Sequence, residues 1–516
     1  MRKRKPQSYL YDFIRSMSKD EKRYFTQMVK GISGGRNNLG LQLFKIINNN
    51  LHKSNEEIDQ KIDFINNKSK LKTNLYTKLL EVTTYYSLEN DLHSKLRSQL
   101  NTIDLLYRRA LYKPCLKLIN DSIKKAEKIE ANKILAELYE YKIRLLLYQN
   151  AKMEESHQLT KKGREAIKKA EEEFESFKLL SDAFAIDKIR SRQTEKHKQL
   201  FKKLYEESIQ LKKNTASFNT NYYIDSLIAL YHNNQKNYIE HERAAKNVYL
   251  LFKENPLMQK HKKHLYNTTL NNYAVSKFRT KDFQGSLNLY KKIDDTGLSP
   301  HEKITVFQYL ASNKLVAHIH LGDIEGLSTF IQWIEKGLDT YDKHISDLFK
   351  IAIFNNLSEY FFWTKDYKKA KLYSNKLLNL SSQNLRRDVI RVTKALILII
   401  CFETEDFVYL QYLLNSYKNS RKLKKKTSAE LWLVQFMEDA IKRAKIDSSF
   451  YIQKELDLLK AVLNSQNSND PIDLSKFNLL IWLRNKTDQL SLKEILLDYN
   501  NNTLTDYIDR RVKQLT

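Results

Sequence analysis

Apolar residues along this chain recur mostly at intervals of three and four, which is the spacing of one face of an α-helix. The clearest stretch is 270–300, LNNYAVSKFRTKDFQGSLNLYKKIDDTGLSP. It predicts two helices broken at Lys281 and Asp282, with bulky apolar positions at Phe278, Phe283, Leu287 and Tyr290. Ala274 and Ser286 are small and fall where two antiparallel helices must approach closely. The break recurs at Gly322-Asp323-Ile324, Lys365-Asp366-Tyr367 and Glu405-Asp406-Phe407, at steps of 41, 43 and 40 residues. Asn237-Tyr238 lies 45 residues upstream of the first aspartate, and weaker breaks fall at Lys152-Met153, at Leu111-Tyr112 and near Gln193. The period is therefore close to 42 residues.

The two ends of the chain do not follow this period. Residues 1–100 predict a separate helical region. Ser18 and Glu21 form a capping box, and a helix over 39–51 buries Leu43, Phe44, Ile47 and Leu51. Ser54 and Asn55 cap a short helix carrying Ile58, Ile62 and Ile65. Residues 101–463 hold the repeats. Residues 464–516 open with the linker NSQNSNDP and continue as helices that cover the last apolar face of an array.

The repeated unit resembles the tetratricopeptide (TPR) repeat, a helix–turn–helix of about 34 residues. With Asp282 and Phe283 as the aspartate–aromatic pair of its turn, Ala274 matches the small residue of the first helix. Ser286, Tyr290 and Ile293 match the small, aromatic and small residues of the second. Lys281 stands where the family has a glycine, and Ile293 where it has an alanine. Residues 10–25, LYDFIRSMSKDEKRYF, also resemble the start of a group of uncharacterised bacterial TPR-like proteins, a likeness that carries no activity. The resemblance implies an all-α fold: a right-handed superhelical TPR-like α-solenoid of antiparallel helix pairs. It implies a non-enzymatic scaffold or adaptor that binds a peptide or protein segment in its concave groove.

Asn272, Asn313 and Asn356 each lie ten residues before a turn aspartate. In the resembling family that position lines the groove, and a side-chain amide offers a donor and an acceptor to a peptide backbone. The same mapping puts Phe278, Arg279, Tyr309, Phe362 and Trp363 beside it.

Charge introduces a second reading. With 89 Lys and Arg against 61 Asp and Glu, the chain carries +28, which suits an anionic partner. An RNA- or ribosome-associated factor would use the basic run Arg421, Lys422, Lys424, Lys425 and Lys426, with Lys198, Lys202 and Lys203 as a second patch. Tyrosines among lysines can stack on bases. The plainer reading is that scattered lysines solvate helix faces and tyrosines pack between helices.

Little else points to chemistry. Cys115 and Cys401 have no Cys or His companions and read as small buried residues, so no structural zinc is expected. Residues 31–36, GISGGR, lack the GK[ST] ending of a phosphate loop. His261 and His264 sit among Lys260, Lys262 and Lys263, which repel a cation. No catalytic motif, metal or cofactor is expected. The longest apolar run, ALILIICF at 395–402, is eight residues, against about 20 for a membrane span. The basic N-terminus is followed by a stretch too short and polar for a secretory leader, so a cytoplasmic location is expected.

Overall fold

A computed structural model describes residues 7–33, 38–51, 53–63, 67–146, 148, 153–189, 193–213, 215–380, 386–419, 428–443, 447–466, 479–501 and 504–515. Among these residues the structure is helical, with no strand. The chain forms two compact units. One is Met1–Tyr273 with Asp294–Lys303, and the other is Ala274–Ile293 with Ile304–Thr516.

The first unit opens with Gln7–Ser16, Lys19–Ser33, Leu39–Asn49 and Asn55–Gln60, which pack around Lys68–Asn90. Their core holds Leu10, Ile14, Phe25, Phe44, Ile47, Ile58 and Leu79. Ser18 starts its helix as expected: its hydroxyl accepts from Glu21 N–H at 3.1 Å, and its own N–H donates to the Glu21 carboxylate at 2.6 Å. The short helix capped by Ser54 ends at Gln60, earlier than Ile62 and Ile65 imply; Ile65 lies outside the described residues. Then come Leu92–Arg108, Tyr112–Lys128, Asn132–Leu146, Met153–Lys188, Glu195–Lys212, Phe218–Asn234 and Tyr238–Glu254. Each packs on the helix that follows, and Met153–Lys188 packs also on Phe218–Asn234.

The second unit repeats this neighbour-on-neighbour packing. Asp347–Trp363 packs on Tyr367–Leu378, that helix on Arg387–Glu403, and Arg387–Glu403 on Phe407–Asn419. The run Ala395–Phe402 belongs to a helix buried from both sides, with Leu396 to Phe402 all in the core. Ser428–Lys442, Ser448–Gln466, Leu479–Asp488, Leu492–Asn500 and Leu504–Leu515 complete the chain.

The expected breaks at 112, 153, 238, 283, 367 and 407 are helix starts, and a break at 193–194 precedes Glu195–Lys212. One backbone device builds several of them. The residue before the turn takes a left-handed conformation: Lys236 at φ 60°, Lys281 at 66°, Gly322 at 70°, Lys365 at 62° and Glu405 at 56°. That conformation lets the next N–H reach back to the ending helix, as Asp282 does to Lys277 O at 2.9 Å and Asp406 to Cys401 O at 2.9 Å. The aspartate then caps the next helix. Asp282 accepts from Gly285 N–H at 2.8 Å and Asp366 from Lys369 N–H at 3.0 Å. Aspartate recurs at 282, 366 and 406 because its side chain caps the helix that begins there, whereas Asp323 pairs with His318 and the next helix starts only at Ser328.

Two features depart from the expected pattern. Residues 153–188 form a single helix of 36 residues, where the apolar spacing predicts one helix that ends at Lys169 and a further unit that begins at Asp182. The helix over 300–321 carries a wide π-turn, Leu310–Lys314.

Candidate functional site

In the second unit two of these turns and the start of a C-terminal helix enclose a cleft of about 660 Å³. Gly322, Asp323, Ile324 and Glu325 form one wall, and Phe362, Trp363, Lys365 and Tyr367 a second. Trp482, Lys486 and the residues 489–493 close the third side. Gly322 is required twice over. Its φ is positive, and a Cβ there would lie 2.5 Å from Lys493 Cα.

Glu403, the last residue of Arg387–Glu403, anchors the cleft. Its carboxylate accepts from Trp482 Nε1 at 2.7 Å, Lys486 Nζ at 2.6 Å and the Tyr367 hydroxyl at 3.3 Å. With 7% of its side chain exposed, it is a structural anion that sets the orientation of an indole and an ammonium. Burial, and then the Glu403 charge, raise the Tyr367 hydroxyl pKa, so that group stays a donor. Trp482 is held from behind by Phe436 at 5.3 Å and Phe402 at 5.9 Å. The Ser491–Glu494 capping box satisfies the helix start at the cleft rim.

The lining therefore combines aromatic faces with charges of both signs: Lys365, Lys486 and Lys493 against Asp323, Glu325 and Glu403. Such a surface can hold apolar side chains between rings and pair with backbone amides or with charges of either sign.

Of the sequence-derived groove candidates, Phe362 and Trp363 line this cleft, their rings 5.3 Å apart. The others are dispersed. Asn272 is exposed, Asn313 half-buried on the π-turn and Asn356 buried. The Asn356 amide donates to the Ser312 carbonyl at 2.6 Å, which commits it to the interior. The three asparagines share a register number but not an environment. Asp347–Trp363 is covered on most sides, whereas 272 faces solvent. Tyr309 packs near Phe349 at 6.2 Å. Phe278 packs against Phe283 at 5.2 Å and His320 at 5.0 Å, beside the exposed Arg279. Burial and the Arg279 charge hold the His320 pKa down at about 4.

Arg421, Lys422, Lys424, Lys425 and Lys426 lie outside the described residues. Lys198, Lys202 and Lys203 are exposed, and each faces a glutamate one turn away: Glu195 at 3.3 Å, Glu206 at 3.8 Å and Glu207 at 3.7 Å. His264 pairs with Glu302 at 3.3 Å and His318 with Asp323 at 3.2 Å. Among the described residues no cluster of His, Cys, Asp or Glu could hold a metal, and no helix is long and apolar enough to cross a membrane. Cys115 and Cys401 are buried and unbridged.

Glu403, Trp482, Lys486 and Lys493 were missed in the sequence because three of them come from the C-terminal helices. Those helices read as a cap, and nothing in their spacing says that they wall a cleft. The one signal was Tyr367, already marked by its turn.

Comparison with models of known families, with curated proteins and with solved structures yields no match to this chain. Fold and cleft define a class: among the described residues a helical protein in which most helices pack on the next, with an aromatic cleft of mixed charge in the second unit.

Proposed function

We propose that the chain is a TPR-like α-solenoid, right-handed with a repeat near 42 residues, that acts as a non-enzymatic scaffold. In this reading it holds a short peptide or protein segment, and the cleft around Trp363 and Trp482 is one of its grips. The observation that carries the reading is the balance of the lining, three lysines against three carboxylates around four aromatic rings. A phosphate backbone would meet the carboxylates at a desolvation cost, whereas a peptide presents apolar side chains, amides and charges of both signs. The glutamates beside Lys198, Lys202 and Lys203 favour the peptide over nucleic acid at that patch as well. The recurring helix starts and consecutive packing support the solenoid, in which each pair stacks on the last.

The test is affinity purification from native lysate with and without nuclease, using the wild-type chain and Trp363→Ala. Expected is a protein partner that survives nuclease and is lost with Trp363→Ala. Recovery of RNA and ribosomal proteins that disappears with nuclease would favour the basic-surface reading instead.

A further inference from the structure

The N-terminal helices of the first unit leave a separate cavity of about 300 Å³. Lys19–Ser33 and Leu39–Asn49 both pack on Lys68–Asn90, and the space lies where residues of these three helices converge. Its walls are apolar: Phe25 and Val29 from the first helix, Leu41 from the second, and Leu71 and Leu75 from the third. Phe25 is held by its ring contact with Phe44 at 4.7 Å. Gly40 also lines the space and adds no side chain to it.

The polar lining residues are Asn38, Asn74 and Lys78. Asn38 Oδ1 accepts from Leu41 N–H at 3.1 Å, which leaves its Nδ2 to donate. Asn74 is exposed, and Lys78 lies one turn further along the same helix face. Lys78 Nζ pairs with Glu81 at 3.0 Å, and both side chains are about half exposed. A pair so exposed holds its ammonium weakly and can release it to another anion. Among the described residues, none that lines the cavity is acidic, in contrast to the mixed charge of the cleft in the second unit.

We propose that this cavity binds a medium-chain aliphatic carboxylate, its chain along Leu71 and Leu75 and its head group at Lys78. Apolar walls with a few donors and one cation are the complement of such a molecule. A free phosphate would leave the walls unused, and an alkyl ammonium would meet Lys78 with like charge. Ordered water needs two to four polar partners, which the apolar walls do not supply. Size sets the chain length. A cavity of about 150 Å³ takes one benzene ring, so twice that volume takes a chain of about eight to ten carbons. From Leu71 to Lys78 the helix rises about 10 Å, a length that such a chain covers when extended.

The test is calorimetric titration of the full chain with decanoate, decanol and decyltrimethylammonium, each below its micelle concentration. Expected is one saturable site for decanoate, with decanol weaker by about tenfold or more and the ammonium without saturable binding. Lys78→Gln should weaken decanoate by about tenfold and leave decanol unchanged. Leu71→Trp, at a half-buried wall position, should weaken both by closing the space. Circular dichroism checks that each variant keeps its helix content. No saturable binding of decanoate overturns the proposal, as does decanoate binding that is indifferent to Leu71→Trp. Decanol binding as tightly as decanoate, or decanoate binding unchanged in Lys78→Gln, overturns the assignment of a carboxylate.

Discussion

The side-chain amide of Asn356 donates to the main-chain carbonyl of Ser312 at 2.6 Å, across 44 residues of sequence. Ser312 lies in the π-turn, where the helix is locally wide, and its hydroxyl donates to Gln308 O at 2.6 Å. Losing this amide leaves a buried carbonyl with one partner fewer. Asn356→Ala should therefore lower stability by about 1–3 kcal/mol, the cost of a buried hydrogen bond left unmade. Asn272→Ala, on an exposed face, should stay within about 0.5 kcal/mol. Urea unfolding of the two variants separates them; equal losses would contradict the different roles assigned here.

The left-handed turns give a second expectation. Lys281 and Lys365 pay the steric cost of a side chain at positive φ. Lys281→Gly and Lys365→Gly should each stabilise the protein by about 0.5–1 kcal/mol, since glycine meets no such cost. Gly322→Ala should do the reverse by more than about 1 kcal/mol, because the added Cβ also strikes the Lys493 backbone. Thermal unfolding reads both signs.

Glu359 supplies a pH dependence. It is buried on Asp347–Trp363, and desolvation pushes its pKa up to about 8, opposed only in part by a hydrogen bond with Trp363. A carboxyl whose folded pKa lies above its unfolded value favours folding when protonated. That contribution is complete below the unfolded value and is lost as pH rises through about 8. Wild-type melting temperature should fall from about pH 6 to about pH 9, and Glu359→Gln should flatten the fall and be the more stable form at the alkaline end. His320 works at the other end. Its depressed pKa means stability is lost as pH drops from the ordinary histidine value toward about 4.

Ion pairs should divide by burial. Arg511 donates to both oxygens of fully buried Glu455, at 2.7 and 3.0 Å, and to Asp488 at 2.7 Å. Glu455→Ala should cost about 3–5 kcal/mol because it strands a buried guanidinium. Glu195→Ala, which removes an exposed partner of Lys198, should cost under about 1 kcal/mol. A loss at Glu195 as large as that at Glu455 would contradict the assignment.

Much of the helix order was legible because it rests on local chemistry. Asp282, Asp366 and Asp406 announce turns by capping the helix that follows, and the apolar stripes between them need no distant partner to be read. The long helix to Lys188 was not legible. Its second half keeps the stripe of the first while burying the opposite face, so a single-face pattern misplaces its end. The cleft was half legible. Phe362 and Trp363 sit beside a marked turn, whereas Trp482 and Lys486 reach Glu403 across 79 and 83 residues. The three asparagines differ in burial for a related reason: equal offsets from a turn fix height along a helix, and burial depends on what covers that helix.

The most direct measurement on the central claim is selection of a displayed random-peptide library on the purified chain, followed by calorimetric titration of the best peptide. The account predicts saturable one-site binding that weakens about tenfold or more in Trp363→Ala and in Lys493→Glu, and is unchanged in Lys202→Glu. Binding that ignores Trp363 and Lys493, or a selection that yields nothing while RNA binds with a steep salt dependence, would contradict it.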